Sequence, residues 1–380
     1  MASPTKRLHY VDHLRVLLAS LVILHHVAIT YGGSGSWSYT EGPVDSISFA
    51  VLTFFTATNQ AFFMGAFFLL AGFFAARSIE RVGPWRFVAR RLVRLGIPLL
   101  FYAAVISPLM VAMLGRFVWG WQGTYAGILR FLYQIWWPPG TGPLWFVEWL
   151  LVLCVGYAAV RGLALRRRPS PHRHSRPGWR EILVFAVMLG AVSFVVRLFF
   201  PVGWVWPPLN AQLAYYTQYV ALFVVGVRAA YQDGLAALVG ERARVWTWLV
   251  ACFLLLFPAL FAVGGAMSGD VDAFMGGMTW QALAYALWDQ LLGLSLIALL
   301  LIVFRRRLDR PTWASRELAP SAYGAFILHA PVVVGVGVAL RPLDIPPIPK
   351  FLVAGAIALT LCFVFAGLIR RLPLVRKVIG

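Results

Sequence analysis

The feature that most constrains this chain is a series of about ten apolar runs, each near the roughly 20 residues a helix needs to cross a bilayer. They fall at about 14–31, 48–76, 95–115, 144–163, 181–200, 212–232, 245–266, 281–304, 320–340 and 350–370. Composition agrees. Hydrophobic residues make up 61%, charged residues 12%, and the mean hydropathy is +0.78. A soluble domain carries roughly 25% charged residues. Lipid is therefore the expected solvent, and no long polar stretch separates two cores. The expectation is one all-α domain over residues 1–380, a polytopic transmembrane helical bundle. The second run exceeds the length of one span and is interrupted by Thr56, Thr58, Asn59 and Gln60. It predicts either a strongly tilted helix or one broken in the middle.

A formal charge of +19 in a soluble protein suggests nucleic acid. Here the basic residues sit in short clusters between apolar runs, in alternate gaps. One set of gaps holds Lys6 and Arg7; Arg77, Arg81, Arg86, Arg90, Arg91 and Arg94; Arg161, Arg166 to Arg168, Arg173, Arg176 and Arg180. The same set continues with Arg228, Arg242 and Arg244; Arg305 to Arg307, Arg310 and Arg316; then Arg370, Arg371, Arg376 and Lys377. The other gaps hold only Arg116, Arg130, Arg341 and Lys350, with Arg197 near one span end. The positive-inside rule puts the basic gaps and both termini in the cytoplasm, with the chain multi-pass in the inner membrane and anionic lipids as partners. The first run is read as a retained span, because no small-residue cleavage site follows it.

Cys154, Cys252 and Cys362 lie inside apolar runs without metal-like or redox-like spacing. The cytoplasmic stretch "RRRPSPHRHSRPGWR" reads as a linker, and its His172 and His174 lack acidic or cysteine partners. No metal is expected. The outer segment 116–143 is rich in Trp and Tyr, including Trp136 and Trp137, and predicts a short interfacial helix around 124–136.

Polar residues inside spans are the informative ones, because each is unfavourable in lipid. The first span carries Asp12, Arg15, His25 and His26. His26 lies roughly 17 Å along the helix from Arg15, near mid-membrane. A neutral buried imidazole can take a proton from a hydroxyl; it can equally bond neighbouring helices. Arg91 and Arg94 share one helix face, beside Arg90, in "FVARRLVRLGIP". Their guanidinium forks suit phosphate oxygens, and also lipid headgroups. Asn59, Gln60, Glu148, Arg197, Gln212, Gln218, Asp289 and His329 complete the intramembrane polar set. Trp37 and Tyr39 in the first outer loop, and Trp145 next to Glu148, fit an interfacial belt or platforms for sugar faces.

These segments resemble the acyltransferase 3 family of ten-span membrane O-acyltransferases. "VDHLRVLLASLVILHH" is similar to the family's opening pattern through Asp12, Leu14, Arg15 and His26. "RRLVRLGIP" matches its arginine pattern through Arg90, Arg91, Arg94 and Pro98. "FFMGAFFLLAGFF" resembles a second-span segment with Ala71 where Ser is usual, and "GPLWFVEWLL" and "SAYGAFILHAP" resemble two later ones. "HHVAITYGGSGSW" looks closest to the glucan-modifying branch.

The resemblance implies acyl transfer, acetyl or succinyl, from cytoplasmic acyl-CoA as co-substrate to a hydroxyl on an extracytoplasmic sugar or glycan. It implies no permanently bound cofactor. It makes His26 essential, with His25 as its rival for the role of base, and gives Arg91 and Arg94 to the donor; Arg15 and Arg90 lie on the same cytoplasmic side, placed to meet the CoA phosphates. Asp12 is expected to orient Arg15 through an i,i+3 pair, and the acceptor to meet Trp37, Tyr39, Trp145 and Glu148. Direct transfer and an acyl-histidine relay are competing mechanisms. A transporter or lipid flippase without thioester chemistry is the alternative function, and a lipid-binding scaffold a further one.

Overall fold

A computed structural model describes residues 7–135, 140–163, 177–206, 210–232, 234–240, 242–266 and 271–379. The linker with His172 and His174, Arg166 to Arg168, Arg173 and Arg176, and also Lys6, Trp136 and Trp137, lie outside the described residues. Regular structure among the described residues is helical, apart from one isolated antiparallel bridge between Trp206 and Ala211. In lipid a chain must close its backbone hydrogen bonds within each segment, and helices do so. The architecture is an all-α polytopic bundle.

The helices are α1 (His9–Thr30), α2 (Ser46–Val82), α3 (Pro84–Phe117), α4 (Tyr125–Ile135), α5 (Gly142–Leu163) and α6 (Trp179–Phe199). There follow α7 (Tyr216–Ala230), α8 (Ala243–Val263), α9 (Trp280–Leu308), α10 (Ala314–Leu340) and α11 (Pro347–Ile369). Among the described residues nine of these are long and apolar enough to cross a membrane. The run at 212–232 behaves differently. It forms a 3-10 turn, Leu213–Tyr215, followed by the 15-residue α7. At about 1.5 Å per residue α7 is roughly 22 Å long, shorter than the bilayer core.

The second run is one continuous 37-residue helix, unbroken at its polar residues, with the Asp45 side chain capping its first turn through Ser48 N–H. Those hydrogen bonds hold the exposed Asp45 carboxyl below the usual carboxylate range. Thr56 explains part of the tolerance. Its hydroxyl donates to the Ser34 carbonyl at 3.0 Å and so ties the outer loop to α2.

Helix α2 packs along α7, and the approach is set by two glycines. A Cβ on Gly72 would sit 2.1 Å from the Phe223 carbonyl oxygen, and one on Gly226 2.0 Å from that of Leu69. Small residues bring helices into backbone contact where lipid gives little hydrophobic drive. Gly226→Ala is therefore expected to lower thermal stability by about 1–3 kcal/mol, followed by unfolding in detergent. Gly156→Ala, whose Cβ meets nothing within 4 Å, is the control and should not destabilise.

Helix α3 carries Pro98 and Pro108, whose missing N–H groups belong to the α-helical bonds of the Arg94 and Ala104 carbonyls. Around each proline the helix widens to π geometry, at Leu92–Gly96 and Tyr102–Ile106. Tyrosines from elsewhere fill in. The Tyr323 hydroxyl donates to the Arg94 carbonyl at 3.0 Å, and the Tyr133 hydroxyl to that of Ala104 at 2.6 Å. Tyr133 lies on α4, the short helix expected around 124–136. Rather than lying apart from the bundle, α4 packs along α3 through Ala112, Ile128 and Leu132.

Candidate active site

Helix α1 runs through the bundle in contact with α2, α9, α10 and α11, so its polar residues face protein rather than lipid. His25 is buried, and His26 is half-buried on the wall of a cavity of about 1280 Å³. The His26 Nδ1 lies 2.9 Å from the carbonyl of Val22, one turn back. A carbonyl only accepts, so in the neutral ring Nδ1 carries the hydrogen and Nε2 keeps its lone pair. The nitrogen left free is the one suited to take a proton.

Three rings enclose this imidazole. Trp37 from the first outer loop lies 4.1 Å from it, centroid to centroid; His329 from α10 lies at 4.9 Å; His25 meets it edge-on at 5.5 Å. His25 also packs against Phe63 of α2 at 5.0 Å. Trp37 stacks nearly parallel to His329 at 6.0 Å. His329 thus joins the site although nothing in its local sequence points to His26. Among the described residues no group of three His, Cys, Asp or Glu side chains is arranged to hold a metal ion.

The cavity extends from the histidines past Gln60, Trp145, Tyr215, Tyr219 and Tyr285 to Phe257 and Phe261 on α8. Its roof is the outer loop Ser34–Ser38. Trp145 stacks on Tyr219 at 5.7 Å, and the Tyr219 hydroxyl accepts from Gln60 Nε2 at 2.9 Å. Flat aromatic faces with polar edges suit the faces of sugars as well as apolar groups.

The other acceptor candidates sit outside the cavity wall. Tyr39 donates to Glu41 at 3.1 Å, and Glu41 pairs with buried Lys350 at 2.7 Å. Burial and then the Glu41 carboxylate push the Tyr39 hydroxyl pKa upward, so it stays a donor. This strap fastens the loop carrying Trp37 to the start of α11. Lys350 stood in the sequence only as a stray charge in a sparsely basic gap; its place at the head of an apolar run was the available signal. Glu148 accepts from Thr141 at 3.0 Å. Asn59 is buried, with its Nδ2 lacking a hydrogen-bond partner.

The charged residues on the opposite half of α1 form a separate cluster. Asp12 pairs with Arg7 at 2.7 Å and with Arg15 at 4.0 Å. It lies roughly 21 Å along the helix from His26, so the structure does not bring it to the histidines. Arg15 lies within electrostatic reach of Arg94. Arg94 stands over the Tyr323 ring at 5.9 Å, and Arg91 over Phe87 at 5.1 Å. Both are half-buried, whereas Arg90 is exposed. Along α10, Tyr323 is about 9 Å from His329, while none of the four arginines lines the cavity at the histidines.

Asp289 belongs to neither cluster. It forms a buried ion pair with Arg197 at 2.7 Å, linking α9 to α6. Tyr215 and Tyr285 flank the guanidinium at 5.3 Å each. Gln218 continues the network to Gln290 and the Ala61 carbonyl.

The sequence profile of an acyltransferase-domain family matches residues 8–367. Neither curated proteins nor solved structures give a match.

Proposed function

The chain belongs to the acyltransferase 3 family and is a multi-pass membrane acyltransferase, and from that premise we propose that it moves an acetyl or succinyl group from cytoplasmic acyl-CoA to a hydroxyl of a sugar or glycan outside the inner membrane. The observation that carries this reading is the His26 imidazole, with Nδ1 tied to Val22 and Nε2 free at the cavity wall.

His26 Nε2 takes the acceptor's hydroxyl proton as that oxygen attacks the thioester carbonyl. The C–S bond then breaks, and His26 returns the proton to the departing CoA sulfur. Arg15, Arg91 and Arg94 meet the CoA phosphates, the two α3 arginines being half-buried, Arg91 over Phe87 of its own helix and Arg94 over Tyr323 of α10. The pantetheine arm carries the thioester from there toward His26. Trp37 and Trp145 frame the acceptor, and the aromatic cavity suits a glycan such as a glucan.

The test is release of free CoA thiol from acetyl-CoA and succinyl-CoA by the full chain in nanodiscs, with glucan oligosaccharides as acceptor probes. Movement of a substrate across the membrane with no thioester consumed would overturn the reading in favour of transport. In the same assay Arg91→Ala and Arg94→Ala should each raise KM for acetyl-CoA by about tenfold or more, with a smaller change in kcat. A KM unchanged in both variants removes the arginines from donor binding.

A further inference from the structure

His26 and His329 hold the same tautomer for the same reason. The Nδ1 of His329 bonds to the carbonyl of Phe326 on its own helix, as His26 bonds to Val22. Each ring therefore keeps its lone pair on Nε2. The His329 Nε2 is buried and has no hydrogen-bond partner, and the whole residue is 0% exposed. A buried acceptor without a donor is unfavourable, so its position beside the proposed base needs an explanation.

The reaction supplies one. When His26 takes a proton it becomes an imidazolium, and a largely buried cation without a partner is disfavoured. Among the described residues no carboxylate forms an ion pair with any of the three histidines. The groups facing the pair are His25 from α1, Trp37 from the outer loop and Phe326 from α10, with Phe63 of α2 packed behind His25. Phe63 and Phe326 offer no lone pair, and the Trp37 indole nitrogen only donates. Ring centroids 4.9 Å apart allow two imidazole nitrogens, turned toward each other, to share one N–H···N bond.

We propose that His329 is a positioning residue that holds the reacting proton jointly with His26. The proton leaves the acceptor hydroxyl for His26 Nε2. It is shared with His329 Nε2 while the new C–O bond forms and the thioester C–S bond breaks. It then passes to the departing sulfur, giving the free thiol of CoA. No oxidant or further reactant is needed. The charge is spread over two rings at the point where neither lipid nor a carboxylate balances it. This inference rests on the acyl-transfer reading of the site.

Two measurements on the full chain in nanodiscs test it. With acetyl-CoA and a glucan oligosaccharide, His329→Phe should lower kcat by about 100-fold and leave KM for acetyl-CoA within about twofold. His329→Gln, which restores a hydrogen-bond acceptor, should recover about tenfold of that loss. Equal losses in the two variants, or a rise in KM in place of a fall in kcat, would show a packing role only. Independently of turnover, nitrogen NMR of ¹⁵N-histidine-labelled protein without acetyl-CoA should show His26 and His329 taking up one proton together as pH falls. Two rings titrating separately overturn the pairing. Absence of thiol release from the unaltered protein would instead overturn acyl transfer, while the NMR result still decides whether the two rings share a proton.

Discussion

Replacing His26 with alanine is expected to lower thiol release from acetyl-CoA by about 10²–10⁴-fold, the range associated with a positioned general base. The fold should survive. The hydrogen bond that the ring makes runs to its own helix, at Val22, and the neighbouring rings of Trp37 and His329 belong to segments held by other contacts. His25→Ala is the paired comparison. That ring meets His26 edge-on and packs on Phe63, so its loss should cost activity less than about tenfold. Kinetics of both variants, alongside elution and thermal unfolding, decide the matter. Full turnover in His26→Ala removes the residue from catalysis; a larger loss in His25→Ala exchanges their roles.

The second large effect lies away from the chemistry. Asp289→Ala is expected to destabilise the protein by about 3–5 kcal/mol, because it strands the Arg197 guanidinium in the bundle. The ion pair is 2.7 Å long, with side chains 0% and 3% exposed, and Arg197 Nη1 already lacks a hydrogen-bond partner. Arg197→Met should lose a comparable amount by stranding the carboxylate. The double replacement, Arg197→Met with Asp289→Leu, should recover most of it, since two apolar side chains leave no charge unpaired. Thermal unfolding in detergent measures all three. Single variants within about 0.5 kcal/mol of the unaltered protein would mean that the pair contributes little to stability.

Much of the fold was legible because lipid leaves a chain few options. Apolar runs of span length can only be helices, and the all-α bundle followed from them. The legible part of the site was whatever lies within one helix. Asp12 and Arg15 pair one turn apart, and His26 follows Arg15 by a fixed rise; Arg94 falls in the π turn Leu92–Gly96, so the α-helical repeat does not by itself fix its face relative to Arg91. Hidden from the sequence were the meetings between helices. His329 against His26, Lys350 with Glu41, and Arg197 with Asp289 each join segments whose register depends on packing. Their presence as polar groups in apolar runs was visible; the identity of each partner was not. The shortness of α7 was hidden for a related reason. Backbone contact at Gly72 and Gly226 lets it lie along the much longer α2, and hydropathy alone does not distinguish it from a full span.

The tyrosines that complete α3 bear on how the protein is made. The prolines interrupt the backbone ladder of α3 as soon as that helix is synthesised, yet its Arg94 carbonyl receives a hydroxyl from a residue 229 positions further along the chain. Ala104 obtains its partner after only 29 positions, from the neighbouring α4. During synthesis the outer half of α3 is therefore finished early, while the arginine-bearing half awaits α10. Tyr323 arrives on the same helix as His329, so one late docking event both closes the arginine-bearing turn and delivers the second imidazole to the first. A nascent chain stopped before residue 320 already contains Arg15, Arg90, Arg91 and Arg94 and has neither of these contacts. The turn that bears Arg94 and the histidine pair are thus completed only once α10 has been made.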